Sequence, residues 1–329
     1  MKPQTYDLIG DIHGQYDKLE ALLLRLDYQP GPLRLQKRSE ERPLPESWRH
    51  PDDRKVIFLG DYIDRGPQVR EVLVTVRGMC DTGDALAIMG NHEYNAVCYH
   101  TPDGNGGWLR PRTERNREQT MATRSFFGKT GQGYREWPQW LEWMKGLPLF
   151  LDLGDLRCVH ACWDAKRLKL LEDKSLTNEA FLRLSATKNT PEHRAIENVL
   201  KGPEVPATVG NMFRDKEGTY RSTVRARWWD IREGLSIGDI AMPPGSLHDN
   251  FPVEEWQLRR LPNYGPDEPP VFFGHYWLPP DAPKAPLSHN IGCLDFSAGL
   301  DGPLVAYRWD GEQQLSVTKF VTTEHHQRY

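Results

Sequence analysis

Short, mostly apolar runs alternate with amphipathic stretches through the first hundred residues. Tyr6 to Ile9, Val56 to Leu59 and Ala85 to Met89 have the length and composition of buried strands. Each is followed by apolar residues at helical spacing: Gln15 to Leu26, Val69 to Met79, and a helix from about His92. That βαβ rhythm predicts an α/β protein with parallel strands. Further on, Arg112 to Phe127 and Tyr134 to Met144 read as helices, the second carrying Trp137, Trp140 and Trp143 as a core-facing stripe. Asp164 to Leu200 reads as helical and charged, Gly202 to Pro206 breaks it, and Pro243 to Pro270 is loop-rich. Late strands are predicted at Val271 to Phe273, Gly292 to Phe296, Leu304 to Trp309 and Leu315 to Val321. The Pro-, Arg- and Glu-rich stretch from Pro30 to Arg54 has no sustained period and reads as a surface insertion.

Composition narrows the classes. With 329 residues, 38% hydrophobic positions and a net charge of −4, the chain can bury a large core, and disorder is excluded. A diffuse grip on a nucleic-acid polymer or an anionic membrane is not expected, so any anion site must be local. No charged leader and no long apolar run precede or interrupt the pattern, which predicts a cytoplasmic protein. Five scattered cysteines lack metal-ribbon or disulfide spacing and read as reduced and mostly buried. The pattern gives no oligomeric state.

The chemistry lies where strands end. Five β-like runs stop at Gly or His and present a polar group there: Gly10-Asp11-Ile12-His13-Gly14, Gly60-Asp61-Tyr62-Ile63-Asp64-Arg65-Gly66, Gly90-Asn91-His92-Glu93, His160-Ala161 and Gly274-His275. Ligands of open parallel sheets gather at the carboxyl ends of strands, so these turns are expected to converge. Carboxylate, imidazole and carboxamide without thiolate suit borderline divalent ions. Two ions are expected: Asp11 and His13 reach one, Asn91, His160 and His275 reach the other, and Asp61 bridges them. Their excess positive charge, joined by Arg65, would draw a phosphate and acidify a bridging water, so in-line hydrolysis of a phosphate ester or anhydride is implied. His92 is assigned as general acid, with Asp64 fixing its tautomer and Arg65 holding phosphoryl oxygens. Taken singly, Gly10-Asp11 would be a strand-ending turn, Asp64 a helix cap and Arg65 a surface ion-pair partner; the set of five turns reverses those readings. The arginines from Arg110 to Arg124 read first as a solvated face.

Other chemistries fail on spacing. Cys162 and Arg167 are one residue too close for a cysteine phosphatase, and Ala96 stands where a zinc-protease helix needs His. Gly128-Lys129-Thr130 lacks the earlier glycine of a P-loop, since that position is Thr123.

The ordered motifs Gly10–Gly14, Gly60–Gly66 and Gly90–Glu93, with His160 and His275 after them, resemble the phosphoprotein phosphatase branch of the calcineurin-like metallophosphoesterases. The resemblance implies two mixed β-sheets packed as a sandwich and flanked by helices, in a single domain over 1–329 with insertions at about 29–54, 101–146 and 164–270. It implies a dinuclear centre, manganese foremost, with Fe, Zn, Co or Ni compatible. It implies a phosphorylated substrate: a phosphoprotein dephosphorylated at Ser/Thr or Tyr, or alternatively a dinucleoside polyphosphate such as diadenosine tetraphosphate. A non-catalytic phosphate-binding module would lack ligands, and none is missing. Asn290 to Phe296 departs from the Asn-Tyr-Cys-Gly stretch of the Ser/Thr enzymes, which brings the bacterial branch with its diadenosine tetraphosphatases nearer. Their second phosphate-binding arginine is matched at best by Arg225 and Arg227. A dinucleoside polyphosphatase would use an aromatic rim, for which Trp108, Trp228 and Tyr276 are candidates.

Overall fold

The computed structural model describes residues 4–32, 44–207, 213–214, 220–247 and 249–323. The middle of the 29–54 stretch lies outside the described residues, as does part of the 164–270 stretch. Tyr6–Ile9 (β1), Lys55–Phe58 (β2) and Ala85–Ala87 (β3) are separated by the helices Tyr16–Arg25 (α1) and Val69–Asp81 (α2). The strands form parallel pairs, Ile9 beside Phe58 and Phe58 beside Ala87. The predicted βαβ rhythm is therefore real, and its cause is visible in burial: Leu8, Ile9, Val56, Ile57 and Phe58 are fully enclosed.

The second sheet combines Phe150–Asp152 (β4), Arg157–Val159 (β5), Val271–Phe273 (β6) and Ile291–Cys293 (β7) in the order β7-β6-β5-β4. The two last strands, Val305–Trp309 (β8) and Phe320–Thr322 (β9), return to the first sheet, where β8 runs antiparallel to β1. Both sheets are thus mixed, and they meet face to face: Phe272 of β6 and Tyr307 of β8 have ring centroids 4.9 Å apart within one continuous core. A second, smaller cluster gathers Val205, Val224, Ile237, Ile240 and Leu261.

Several predicted elements are divided. The stretch 112–127 is two helices, Glu114–Gln119 (α4) and Met121–Phe127 (α5), which follow Asn91–His100 (α3) and meet at Thr120. The charged stretch 164–200 is three, Ala165–Leu171 (α7), Glu179–Ala186 (α8) and Pro191–Lys201 (α9), after Trp137–Lys145 (α6). Side chains of Asp164, Asn178 and Thr190 accept backbone N–H bonds at the start of α7, α8 and α9, so each helix begins at its own cap. The late run 315–321 is a 3₁₀ turn at Val317–Lys319 leading into β9, and the strand read as Gly292 to Phe296 ends at Cys293. The 29–54 stretch, read as a surface insertion, is not wholly superficial: Gln29–Pro30 pairs with Trp48–Arg49, and Leu44 and Trp48 are buried. The tryptophan stripe does serve the core, with Trp137 and Trp140 buried. All five cysteines are free, four of them buried and Cys80 half-buried. Among the described residues, no helix is long and apolar enough to cross a membrane.

An ion cluster clasps the far end of the first sheet. Asp7 is fully buried on β1, and Arg54 reaches it through Nη2 at 3.0 Å while also bonding the Tyr6 and Trp309 carbonyls and the Asp310 carboxylate. Arg308 adds a contact to Asp7 at 3.2 Å. Removing one partner of such a pair strands a buried charge, so Arg54→Ala is expected to lower unfolding free energy by roughly 3 kcal/mol, with Arg308 limiting the loss. A denaturant midpoint shift at unchanged slope measures it.

Candidate active site

The turns after β1 and β2 are knitted by backbone bonds: Ile12 and His13 N–H donate to the Asp61 carbonyl, Gly14 N–H to Tyr62, and Gly66 N–H back to His13. Glu93, in the first turn of α3, fixes the same loop, because its buried carboxylate accepts the N–H groups of Asp61 and Tyr62 at 2.8 Å and of Gly90 at 3.0 Å. The chain can come this close only at a glycine: a Cβ on Gly90 would lie 2.2 Å from the Asp61 nitrogen, and one on Gly274 would lie 1.8 Å from Asp11 Oδ1.

Five of the expected residues are held in the left-handed backbone region: His13, Asp61, Asp64, Arg65 and His275, with φ between 49° and 68°. Each such conformation costs about 1–3 kcal/mol and persists only where surrounding contacts over-determine it. Here those contacts are the knitted turns, and the strain buys the direction in which the side chains point.

The side chains converge. Asp61 Oδ2 lies 3.5 Å from His13 Nε2 and its Oδ1 lies 3.4 Å from His160 Nε2, so the two oxygens of one carboxylate face two different imidazoles. Asn91 Oδ1 is 3.1 Å from His160 Nε2. His275 joins Asp61 and His160 in a group whose donor atoms all lie within 4.8 Å of one another. A second such group is His13, Asp61 and His92. Asp11 is buried beside them and outside both groups, its carboxylate accepting the His275 backbone N–H at 3.1 Å.

The tautomers follow from the outer partners. His13 Nδ1 is 3.0 Å from the Ile63 carbonyl and His160 Nδ1 is 2.7 Å from the Leu59 carbonyl. A carbonyl only accepts, so both rings carry a proton on Nδ1, which leaves Nε2 as the atom turned into the site. The Nε2 atoms of His13 and His275 are buried with no hydrogen-bond partner, which is costly for a polar atom unless something coordinates it.

Charge gives the same indication. Asp11, Asp61, Glu93 and Asp295 are all buried together. Burial, then the charges of Asp295 and Asp61, push the Asp11 carboxyl well above its usual range, with the His275 N–H opposing. Glu93 is pushed up to about 7 by burial and by Asp61. For Asp61, burial pulls upward but the charges of His160 and His92 prevail and hold it well below the usual range. Crowded acids and unpartnered imidazole nitrogens fit divalent cations.

His92 is placed differently from the other histidines. Its Nδ1 lies 2.6 Å from Asp64 Oδ2, and its Nε2 lies 3.9 Å from Asp61. Burial pulls the His92 pKa down, but the charges of Asp61 and Asp64 and the Asp64 bond raise it above the usual histidine value. Arg65 is exposed at the rim with its guanidinium carbon 3.8 Å from the centroid of the Trp277 ring. The main chain beneath that ring is held by Asp295, whose Oδ2 accepts the backbone N–H of Trp277 at 2.8 Å.

The two later arginines part company. Arg225 is near enough for its charge to press the His275 pKa down, after burial. Arg227 faces Asp230 at 3.8 Å, and its charge bears on Asp239. The aromatic rim is corrected: Trp228 and Tyr276 are fully buried, Trp228 bonding the Ala161 carbonyl, because both pack in the core beside Phe273. Trp108 stays half-buried under the Arg112 guanidinium. The Arg110–Arg124 region is likewise not simply a solvated face, since Arg110 bonds Asn95, Asn116 and Gln119.

Sequence reading missed Thr123. Its buried hydroxyl donates to Asp64 Oδ1 at 2.5 Å and accepts the Asp64 N–H at 3.0 Å. It lies 59 positions from Asp64 on α5, with no motif to mark it. If Thr123 steadies the Asp64–His92 pair, Thr123→Val is expected to lower kcat about 10-fold or more at unchanged KM and metal content, and Thr123→Ser to restore it. Alkyl phosphates should suffer more than 4-nitrophenyl phosphate, which needs less help at its leaving oxygen.

Against known proteins, the calcineurin-like phosphoesterase family profile matches residues 5–206, and the chain belongs to that family. Over 87 residues it is 39% identical to the asymmetrical bis(5'-nucleosyl)-tetraphosphatase PrpE of Halalkalibacterium halodurans, covering 26% of this chain and 30% of that relative. The symmetrical bis(5'-nucleosyl)-tetraphosphatase of Vibrio parahaemolyticus is 23% identical over 94% of this chain and 96% of its own length. The enzyme of the same name from Cronobacter sakazakii is 24% identical over 98% of this chain and 95% of its own.

Proposed function

We propose that this chain is a dinuclear-metal phosphohydrolase whose substrate is a dinucleoside polyphosphate, cut at a phosphoanhydride bond. The observation that carries the first part is the shared carboxylate: Asp61 turns one oxygen to His13 and the other to His160. His13, Asp61 and Asp11 would hold one divalent ion, and Asp61, Asn91, His160 and His275 the other. Bound there, the ions would supply Lewis acidity toward phosphoryl oxygens and lower the pKa of a water molecule.

The chain's own groups do the rest. Arg65, planar and exposed, binds phosphoryl oxygens bidentately while Trp277 limits where its guanidinium can lie. Arg225 adds positive charge on the His275 side. His92 gives its Nε2 proton to the departing oxygen, and Asp64 stabilises the ring through Nδ1. Cations on Asp61 would weaken its hold on His92, which leaves Asp64 as the partner that keeps the ring protonated.

The substrate reading draws on the relatives named bis(5'-nucleosyl)-tetraphosphatase, two of which align over nearly the whole chain. A phosphoprotein substrate is the alternative that the motifs also allow. Comparing kcat/KM on diadenosine tetraphosphate with that on phosphoserine and phosphotyrosine peptides tests the choice. The dinucleotide is expected to be preferred by at least about tenfold, a difference of about 1.4 kcal/mol in transition-state binding. Faster turnover of the peptides would reverse it. Products resolved as two ADP, or as ATP and AMP, identify the bond cut.

A further inference from the structure

A cavity of about 1290 Å³ opens between α7, α9 and the small second cluster. None of the residues assigned to the metal centre lines it. Its wall carries eight Lys or Arg against four Asp or Glu, a local excess of positive charge in a chain of net charge −4. Three of the cations are answered by lining acids: Arg157 by Glu268, Arg167 by Asp164 and Lys201 by Glu197. Arg259 pairs with Glu255. Among the described residues, no ion pair reaches Lys166, Lys188, Arg194 or Arg260. Cations left unpaired around a concavity focus potential onto whatever anion enters it.

Two further features point to a ligand. Asn198 lines the cavity while being only 6% exposed, and its Oδ1 is buried without a hydrogen-bond partner, so its amide is not fully committed within the fold. Trp256 also lines it, 48% exposed, with Arg260 stacked 5.1 Å from its ring centroid. An acidic peptide is the poorer fit. One way peptides gain affinity is by pairing with a strand edge, and the edge here, Glu204–Pro206, carries an acid, follows Pro203 and ends in Pro206, neither of which has an N–H to offer. A ligand gripped through side-chain charge and one exposed aromatic ring suits the cavity better.

We propose that this groove binds a nucleoside polyphosphate, its base on Trp256 and its phosphates among Lys166, Lys188, Arg194 and Arg260. The inference concerns a site outside the metal cluster and does not depend on which bond that cluster cuts. The ligand has two possible sources, the far half of a dinucleoside polyphosphate substrate or a separate mononucleotide, and both present the same chemistry. Lys201 lines the groove and belongs to the same helix, α9, as Arg194 and Asn198.

The test is calorimetric titration of the metal-loaded protein with adenylyl imidodiphosphate, a non-hydrolysable ATP analogue. The wild type and Lys188→Glu/Arg194→Glu/Arg260→Glu are compared, with Lys188→Gln/Arg194→Gln as a milder pair. The charge reversals are expected to weaken groove binding by about tenfold or more, while kcat and KM for 4-nitrophenyl phosphate stay unchanged. Trp256→Ala is expected to weaken the analogue at least about fivefold and to leave tripolyphosphate binding as it was. A raised KM for diadenosine tetraphosphate in the charge variant identifies the substrate's far half; an unchanged KM beside a lost calorimetric site identifies a separate nucleotide. Identical isotherms for wild type and charge variants would overturn the proposal, as would an oligoglutamate peptide binding at least as tightly as the analogue. Absent turnover of 4-nitrophenyl phosphate by the wild type would count against the metal-centre reading alone.

Discussion

Asp61→Asn is expected to abolish hydrolysis of aryl phosphate and to lower the metal content below two ions per chain. The substitution is nearly isosteric, and the backbone N–H of residue 61 remains held by Glu93, so far-UV circular dichroism should be unchanged. What is lost is one negative charge at the one position that faces both imidazole pockets. His13 and His160 would each face a neutral amide, and an amide cannot present an anionic oxygen to both sides. Elemental analysis after dialysis against metal-free buffer, beside a steady-state assay, reads both effects. A variant that keeps two ions and full turnover would remove Asp61 from its shared position.

His92→Asn is expected to do the reverse: keep the metals and slow turnover by roughly two to four orders of magnitude, the usual range for a positioned general acid. The reason is geometric. The Nδ1 side of His92 is committed to Asp64 at 2.6 Å, so only Nε2 is left to serve a substrate oxygen. The loss should grow with the pKa of the leaving group, being largest for alkyl phosphates. Asp64→Asn should show the same trend in weaker form, since the ring loses its anionic partner while keeping its place on α3. Equal losses for good and poor leaving groups would argue that His92 holds the substrate and does not move a proton.

The parts of the site legible in the sequence are those that follow a strand. Ile9, Phe58 and Ala87 are neighbours in a parallel sheet, so the residues just after them meet at one edge. His160 and His275 follow the paired strands β5 and β6 of the other sheet in the same way. Sequence order plus that one rule brings Asp11, His13, Asp61 and Asn91 to the edge of one sheet and His160 and His275 to the edge of the other. Thr123 obeys no such rule: it arrives on α5, and its partner is set by how that helix packs. Asp295 and Trp277 are similar, being joined by a side-chain bond across a loop.

The fold was readable to the same depth. Apolar runs gave the buried strands, whereas the divisions of 112–127 and 164–200 depend on caps at Asp164, Asn178 and Thr190 that a periodicity smooths over. The aromatic rim failed for a related reason. Trp228 and Tyr276 look like binding groups by type, but their rings fill space around Phe273, and burial is a property of three-dimensional packing that residue type does not reveal.

Anomalous diffraction from crystals loaded with manganese addresses the central claim most directly. The expected map has two peaks about 3.5–4 Å apart, one on each side of the Asp61 carboxylate, the first against His13 and the second against His160 and His275. A single peak, or two peaks that do not share Asp61, would contradict it.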